Sequence, residues 1–323
     1  MKSFKFMVFI SVIFSLVFLA ACGSSNNASP DVGAGGDEPQ AVESYTVEHA
    51  MDVTEIKGTP KRVVILTNEG TEALLALGVK PVGAVQSWLG DPWYEHISGE
   101  MDGVQVVGTE SAVNLETIAS LQPDLIIGNK LRQEDVYEQL KQIAPTVFAE
   151  TLKGDWKENF KLYAKALNME EEGNKVLGDF DGRIDAMKEE LGDQLDKEIS
   201  IVRFMAGDVR IYHKDSFSGV ILNQLGFARP AEQDVNDFAE MNVTDERIHA
   251  MEGDVLFHFA YETGEGDATN VQNEWLEKAL FKNLNVAKSG EVYEVSDAVW
   301  NTAGGVLAAN LVLDDIERVF LDK

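Results

Sequence analysis

Short apolar runs alternate with helical patterns along residues 61–148. The β-branched run 62–66 is typical of a buried strand, and residues 71–77 predict a short helix that ends at Gly78. The same pattern predicts further strands at 82–85, 104–108, 125–128 and 146–148, and helices at 115–121 and 136–143. Because strands and helices alternate, we expect an α/β lobe built on a parallel sheet.

The pattern becomes purely helical between residue 156 and about residue 195. Residues 169–191 carry apolar side chains close to helical spacing and charged residues at most other positions, which predicts a long connector helix. Strands are then predicted at 199–202, 255–259 and 292–295, with helices at 219–225 and 305–320. We therefore expect an N-terminal α/β lobe (43–155), a helical connector (156–196) and a C-terminal α/β lobe with a closing helix (197–323).

An internal repeat favours two equivalent lobes. Residues 113–126 align without a gap on residues 243–256, at a constant offset of 130. Seven aligned pairs are identical or both apolar, and they include Glu116 with Glu246 and Asp124 with Asp254. Helix-then-strand units share such patterns by chance, but this ungapped match favours duplication.

The N-terminus has the order of features of a secretory signal. Lys2 and Lys5 precede an uncharged apolar run at 6–19, which is short for a membrane span. The residues before Cys22 look like the lipobox of bacterial lipoproteins, so we expect residues 1–21 to be removed and Cys22 to be lipidated; a chance cysteine after an ordinary signal is the alternative. The polar run 22–42 predicts a flexible tether. Cys22 is the single cysteine, which excludes an intramolecular disulfide and a thiolate zinc site.

Acidic residues outnumber basic ones by 55 to 27, which gives a net charge of -28. A surface of this kind is a poor partner for nucleic acid, and its charge does not attract anionic lipid. Clusters of arginine or lysine therefore stand out against the acidic background.

Enzyme motifs are absent from the sequence. It contains no Gly-x-Ser-x-Gly elbow, no phosphate-binding loop and no His-Glu-x-x-His, and its five histidines are scattered singly. Paired-carboxylate hydrolysis stays open, although no pair is marked out, and a secreted lipoprotein enzyme is therefore the alternative from another class. Two α/β lobes with a connector instead favour a binding protein with a ligand cleft between the lobes.

Five stretches along the chain carry a more specific resemblance. They are KRVV (61–64), EALLALGVKPVG (72–83), residues 114–127, APTV (144–147) and residues 300–316. In this order they resemble the class III solute-binding lipoproteins of ABC importers, which capture ferric siderophores, haem and cobalamin. The resemblance implies two Rossmann-like lobes joined by a long connector helix, binding without catalysis, and a monomer that delivers its ligand to the permease subunits.

The resemblance also implies roles for two acidic residues. Each lobe of these proteins presents a surface glutamate to an arginine of the permease, and Glu116 and Glu246 occupy the matching positions. Ion pairs at an interface rim set orientation and association rate more than affinity. The alternative is that both are solvated acids that stabilise their helix N-termini.

Ligand-binding residues are expected in the loops after the strands, since clefts of α/β proteins form there. A ferric siderophore is polar and often anionic, so cations with neighbouring aromatic rings suit it. The candidates are Trp88, Trp93, Tyr94, Lys130, Arg132, Arg203, Arg210, Tyr212, His213, Lys214, Trp300 and Asn301. Arg203 and Arg210 have the alternative of pairing with carboxylates such as Asp208 or Asp215, and Trp93 and Trp300 that of belonging to the core.

Residues 209–212, 216–219 and 300–305 look most like receptors for ferric hydroxamates and mixed citrate-hydroxamates, with schizokinen-type ligands foremost. Ferric catecholates stay open, and haem or cobalamin fits less well. We expect iron to be bound only within the siderophore, with no cofactor of the protein's own. The lipid on Cys22 would anchor the protein on the outer face of a cell membrane, and a Gram-positive surface is favoured because a diffusible periplasmic receptor needs no anchor.

Overall fold

A parallel five-stranded sheet organises the first half of the computed structural model, which describes residues 43–152 and 154–321. Its strands lie in the spatial order Gln105–Val106, Gly83–Ala84, Val63–Ile65, Leu125–Asn129 and Thr146–Ala149. The last three strands are buried along their whole length, as their mainly apolar sequences predict. The signal (1–21), Cys22 and the tether (22–42) lie outside the described residues.

Short helices cover this sheet, and we call the part of the chain built on it the first lobe. The helices span Asn68–Ala76, Glu95–Ser98, Leu115–Ser120, Lys130–Gln133 and Tyr137–Lys141, with a 3₁₀ turn at Glu134–Val136. Two hairpins were not predicted from the sequence: Ser44–Glu48 with Val53–Lys57, and Gly108–Thr109 with Ala112–Val113. In the first hairpin mainly alternate positions are buried, including Val47 and Ile56, which is the period of a half-exposed strand.

The second lobe is built on a mixed five-stranded sheet. Its order is Ala239–Glu240, Asp208–Tyr212, Ile199–Met205, Val255–Ala260 and Val292–Glu294. Strands Ala239–Glu240 and Ile199–Met205 both run antiparallel to Asp208–Tyr212, which lies between them. Strands Val255–Ala260 and Val292–Glu294 run parallel to Ile199–Met205. A two-residue turn, with Gly207 at φ +75°, joins Met205 to Asp208 and forces this antiparallel pairing. Arg203 and Arg210 stand directly opposite each other in its register.

The α-helices that follow strand Ile199–Met205 along the described chain are Phe217–Leu225, Asp267–Glu277, Ala279–Lys282, Asn285–Ser289 and Val306–Phe320. Segments at Gly192–Asp196 and Asp245–Met251 are 3₁₀ helices, and Ala298–Thr302 is a π-helical turn. Within residues 43–152 and 154–321, no helix is both long enough and apolar enough to cross a bilayer.

Two helices lie between the sheets in sequence, Trp156–Ala166 and Glu170–Leu191. The second matches the predicted long helix, and its apolar positions, among them Phe180 and Ile184, are buried. It packs against Phe217–Leu225 and against the final helix Val306–Phe320. The boundaries proposed for the two lobes and the connector stay a prediction, because the described residues form a single compact unit.

The internal repeat places two aspartates in equivalent structural positions. Asp124 and Asp254 each stand between a helical segment and a parallel strand. The Asp124 carboxylate accepts hydrogen bonds from the backbone amides of Lys61 and Arg62, both at 2.9 Å, and Asp254 accepts one from the amide of Glu198 at 2.9 Å. In each lobe, this carboxylate fixes the start of the neighbouring central strand.

Candidate functional site

A cavity of about 510 Å³ lies between the two lobes. Its lining combines residues of the loops and helices that follow strands with residues of strands Ile199–Met205 and Asp208–Tyr212 themselves, which is close to where clefts of α/β proteins form. The first lobe contributes Glu69, Trp88, Glu110, Leu131, Arg132 and Leu152. The second lobe contributes Arg203, Met205, Arg210, Phe217, Phe238, Tyr261, Asn301, Thr302, Ala303 and Gly304.

Arg132 is the most exposed of the three arginines in this lining, with 40% of its side chain accessible. Its guanidinium lies 5.8 Å from the ring centroid of Trp88, which is within the range of a cation–π interaction. Its Nε lies 3.6 Å from Oε2 of Glu110, a separation that permits ion pairing but is too long for a good hydrogen bond. The Arg132 guanidinium therefore retains donors for an incoming anion.

Arg203 is buried and held on several sides. Its Nε donates to Oδ2 of Asp297 at 2.6 Å and its Nη2 to Oδ1 at 3.2 Å, which is the bidentate geometry that suits a guanidinium. Its Nη1 donates to the Tyr212 hydroxyl at 3.3 Å, and the Tyr261 ring centroid is 4.8 Å away. Its partner is thus Asp297, and neither Asp208 nor Asp215, the two carboxylates considered from the sequence.

Arg210 has the carboxylate partner considered from the sequence. Its Nε donates to Oδ2 of Asp208 at 2.6 Å. Since Arg203 and Arg210 are opposite each other on adjacent antiparallel strands, their side chains share one face of the sheet. That shared face brings both guanidinium groups to the cavity, each beside a carboxylate of its own.

The two lobes touch across the cavity through Tyr261 and Trp88. The Tyr261 hydroxyl donates a long hydrogen bond of 3.4 Å to the backbone oxygen of Trp88. Each of these rings also faces an arginine of its own lobe, Arg132 for Trp88 and Arg203 for Tyr261. Two pairs, each of one arginine and one aromatic residue, therefore meet across the cavity through Tyr261 and Trp88.

Two buried carboxyl groups, which the sequence analysis did not select, also line the cavity. Glu110 accepts hydrogen bonds on Oε1 from the backbone and side-chain amides of Asn68, at 2.6 and 2.8 Å. Glu69 is 5% exposed, and burial raises its pKa well above the usual range of a glutamate. Burial also raises the pKa of Glu110. Glu69 follows strand Val63–Ile65 closely, so the strand-end rule could have found it, but acidic residues were treated there as background.

Three predicted aromatic residues do not line the cavity. Trp93, Tyr94 and Trp300 belong to the apolar core and are 9%, 1% and 0% exposed. The indole Nε1 of Trp300 donates to Asp315 at 2.8 Å, which satisfies its polar atom away from the cavity. For Trp93 and Trp300, the structure thus agrees with the core alternative.

Four predicted polar residues lie around the cavity instead of in its lining. Tyr212 is buried behind Arg203 and accepts its hydrogen bond. His213 and Lys214 pair with Asp237 and Asp234, because the backbone after strand Asp208–Tyr212 continues against residues 235–238. Lys130 pairs with Glu150 at 2.8 Å in an adjacent shallow pocket of about 310 Å³. The predicted candidates that the cavity does bring together are Trp88, Arg132, Arg203, Arg210 and Asn301.

Glu116 and Glu246 are both exposed, in the first turn of equivalent helical segments. The Thr244 hydroxyl donates to Glu246 at 2.6 Å and lowers the pKa of that carboxyl. Both carboxylates are therefore accessible to a partner. In the part of the chain that the structure describes, no group of three histidine, cysteine or acidic residues is arranged to hold a metal ion.

The family model described as periplasmic binding protein matches residues 63–299. The probable siderophore-binding lipoprotein YfiY of Bacillus subtilis strain 168 is 49% identical over 329 residues, which cover 99% of each chain. The Fe(3+)-citrate-binding protein YfmC of the same organism is 30% identical and covers 99% of this chain and 98% of its own.

A solved structure extends the likeness to the fold. Staphylococcus aureus SirA complexed with staphyloferrin B superposes with a TM-score of 0.79 and is 36% identical, covering 85% of this chain and 98% of its own. The predicted α/β fold with two lobes and a long helix between them is thereby confirmed.

Proposed function

Because this chain belongs to the periplasmic binding protein family, we propose that it is the solute-binding component of an ABC importer. It captures a ferric siderophore in the cavity between its lobes and delivers it to the permease. The observation that carries the proposal is the convergence of Arg132, Arg203 and Arg210 with Trp88 and Tyr261 on one cavity of a strongly acidic protein. Guanidinium groups bind carboxylate oxygens, and the rings provide flat apolar contact.

The chemistry of the cavity favours a citrate-hydroxamate or hydroxamate siderophore, with schizokinen-type ligands foremost. Two of the three arginines are already paired with Asp297 and Asp208, so the cavity suits a ligand of modest negative charge. The names of the relatives support a citrate-containing ligand, since YfmC is called Fe(3+)-citrate-binding. Ferric catecholates, haem and cobalamin are the alternative ligands within the family.

Iron enters this proposal only as part of the ligand. A siderophore saturates the coordination of its iron, so the protein needs no metal ligands and no cofactor of its own. We propose a monomer without catalytic activity, anchored through lipid on Cys22 to the outer face of the cell membrane. The relative YfiY, named a lipoprotein, supports the anchor, and its Bacillus source supports a Gram-positive host.

Titration with a panel of ferric siderophores tests the ligand class. The lipid-free mature chain (23–323) should show saturable tryptophan quenching with a ferric citrate-hydroxamate. Trp88 lines the cavity whereas the other four tryptophans are at most 9% exposed. Trp88→Phe should therefore weaken binding severalfold, corresponding to about 1 kcal/mol of lost cation–π and stacking energy.

Trp275→Phe is the matched control, since Trp275 lies in a separate apolar cluster of the second lobe. It should leave the dissociation constant unchanged. If both substitutions changed the dissociation constant equally, the result would contradict ligand binding in this cavity. Absence of binding by every ferric siderophore would contradict the proposed function itself.

The double variant Glu116→Arg/Glu246→Arg tests permease docking. Both carboxylates are exposed and lie outside the cavity, so ligand affinity should not change, while uptake of radiolabelled ferric siderophore by cells should be abolished. The double variant Glu95→Arg/Glu100→Arg, at two exposed positions of the first lobe, provides the charge-matched control and should support normal uptake. Loss of ligand affinity in the double variant would contradict the docking role.

A further inference from the structure

Glu110 lies at an unusual place for a buried acidic residue. It belongs to the two-residue turn between strands Gly108–Thr109 and Ala112–Val113, where a charged side chain normally points to solvent. Glu110 instead lines the cavity and is 4% exposed. Glutamates are almost never this deeply buried unless they are paired, so the partners of this carboxyl group indicate what it does.

The first set of contacts fixes Glu110 to the first lobe. Its Oε1 accepts hydrogen bonds from the backbone and side-chain amides of Asn68, at 2.6 and 2.8 Å. Its backbone oxygen accepts from Nε2 of Gln133 at 2.7 Å, and the same nitrogen donates to the backbone oxygen of Leu66 at 3.1 Å. Asn68 and Gln133 are each 2% exposed, so the turn is tied to the chain that follows strand Val63–Ile65.

The second carboxyl oxygen is directed at an arginine of the cavity. Oε2 of Glu110 lies 3.6 Å from Nε of Arg132, and the Arg132 guanidinium lies 5.8 Å from the ring centroid of Trp88. An arginine side chain that is 40% exposed samples many rotamers unless it is held. The carboxyl group and the ring restrict Arg132 from two sides.

Trp88 interacts with Glu110 as well. Burial raises the pKa of Glu110, whereas the amides of Asn68, the Arg132 guanidinium and the indole N–H of Trp88 favour the ionised carboxylate. Glu110, Arg132 and Trp88 therefore form a closed group in which each member interacts with the other two. Glu110 is the buried member of this group, and its Oε1 is already occupied by Asn68.

Electrostatics alone would disfavour an acidic residue at this place. A carboxylate in a cavity for an anionic ligand repels the ligand and neutralises part of the charge of Arg132. The contact with Glu110, however, is made at Nε, so the two terminal nitrogens of the guanidinium keep their donors for a ligand. An acid that both orients Arg132 and leaves these donors free can strengthen binding in spite of its charge.

We propose that Glu110 is a positioning residue of the ligand site, which holds Arg132 and Trp88 in the arrangement that binds the ligand and does not contact the ligand itself. The inference rests on the proposed function and adds to it the group that organises the first-lobe side of the cavity. Preorganised side chains bind more tightly because less conformational freedom is lost when the ligand arrives. Removing this negative charge should therefore weaken the binding of an anionic ligand.

Glu110→Gln tests this expectation. The glutamine keeps one oxygen that accepts from Asn68, but it replaces the oxygen facing Arg132 with an amide group that does not attract a cation. We expect the dissociation constant of ferric schizokinen to rise about tenfold, which is within the range of coupling between contacting residues. Glu134→Gln is the matched control, because Glu134 is an exposed acid of the adjacent shallow pocket, to which Arg132 also contributes. This control should not weaken binding.

The same substitution in an Arg132→Met background distinguishes positioning from direct contact. There Glu110→Gln should change the dissociation constant by less than about twofold, since the residue through which Glu110 acts is absent. An equal loss in both backgrounds would overturn the inference, because Glu110 would then contact the ligand or support the fold in general. Unchanged or tighter binding by Glu110→Gln in the wild-type background would overturn it as well.

A second readout does not depend on the ligand. The emission of Trp88 is obtained by subtracting the spectrum of a Trp88→Phe variant, with and without Glu110→Gln. We expect Glu110→Gln to make Trp88 more accessible to quenching by acrylamide, while the other four tryptophans, which are at most 9% exposed, keep their emission and show that the variant is folded. Unchanged quenching of Trp88 would overturn the inference.

The two readouts also separate this inference from the proposed function. If the wild type binds no ferric siderophore, the proposed function has failed, whatever the variants do. The quenching of Trp88 in the free protein still decides whether Glu110 positions that side chain.

Discussion

Replacing Asp297 with alanine is expected to lower the free energy of unfolding by about 3 to 5 kcal/mol, because the substitution leaves a buried arginine without its counter-ion. Arg203 is 8% exposed at its side chain and loses both bonds of its bidentate contact, while the Thr302 hydroxyl loses its acceptor. Chemical denaturation followed by circular dichroism measures the loss. A change below about 1 kcal/mol would contradict the assignment, since that is the size expected of an exposed pair.

The double variant Arg203→Met/Asp297→Asn separates structure from ligand binding. It removes both charges together, and buried ion pairs replaced by neutral residues of similar volume often restore stability. The amide oxygen introduced at position 297 can still accept from Thr302. We expect stability to recover while affinity for the ferric siderophore falls below that of the wild type, because the cation is absent. Wild-type affinity in this variant would exclude Arg203 as a ligand-binding residue.

Glu72→Ala is expected to destabilise the protein by about 3 kcal/mol, because it removes a contact between the first lobe and the final helix. Glu72 is 0% exposed in the first lobe, and its Oε1 lies 2.5 Å from Nε2 of His96. Its Oε2 accepts from the backbone amide of Ala308, at 2.9 Å, in the first turn of the final helix. No side chain of that helix's own N-terminus caps it, so Glu72 acts as the cap from a distant part of the sequence.

Glu72→Gln is the matched control for this contact. Its amide oxygen can still accept from Ala308, and its amide group can donate to His96 in the other tautomer of the ring. We expect it to retain most of the stability that Glu72→Ala loses, as measured by denaturation at one pH. Equal losses in the two variants would show that charge, and not the cap, is what Glu72 provides.

Much of the fold follows from local patterns in the sequence. The apolar run that begins strand Leu125–Asn129 and the helical spacing of Glu170–Leu191 each have one dominant interpretation, and the structure agrees with both. The orientation of strand Asp208–Tyr212 does not follow from its own apolar pattern, because it depends on the turn at Gly207. Hairpin Ser44–Glu48 with Val53–Lys57 was missed because its apolar positions are few and alternate with exposed ones.

The candidate site could be predicted where charge contrasted with the background. Arg132, Arg203 and Arg210 stood out in an acidic chain and line the cavity. Lys130 and Lys214 stood out for the same reason but pair with acidic residues beside it. Aromatic residues gave no such contrast, because a ring such as Trp300 serves a core as well as a cleft, and only packing decides between them. Glu69 was hidden for the opposite reason, since one carboxyl among 55 acidic residues becomes distinctive only through its burial.

The pairing of Arg203 with Arg210 across the two-residue turn makes chain length a constraint on how this receptor can diversify. Successive residues of a strand face opposite sides, so inserting one residue in the turn at Ala206 and Gly207 would shift the register and move one arginine to the far face of the sheet. Descendants of this protein can exchange either arginine by point substitution and so alter ligand preference in small steps. Insertions or deletions at the turn would remove a cation from the cavity in one step, and selection for ligand uptake should therefore keep the length of this hairpin fixed while its side chains vary.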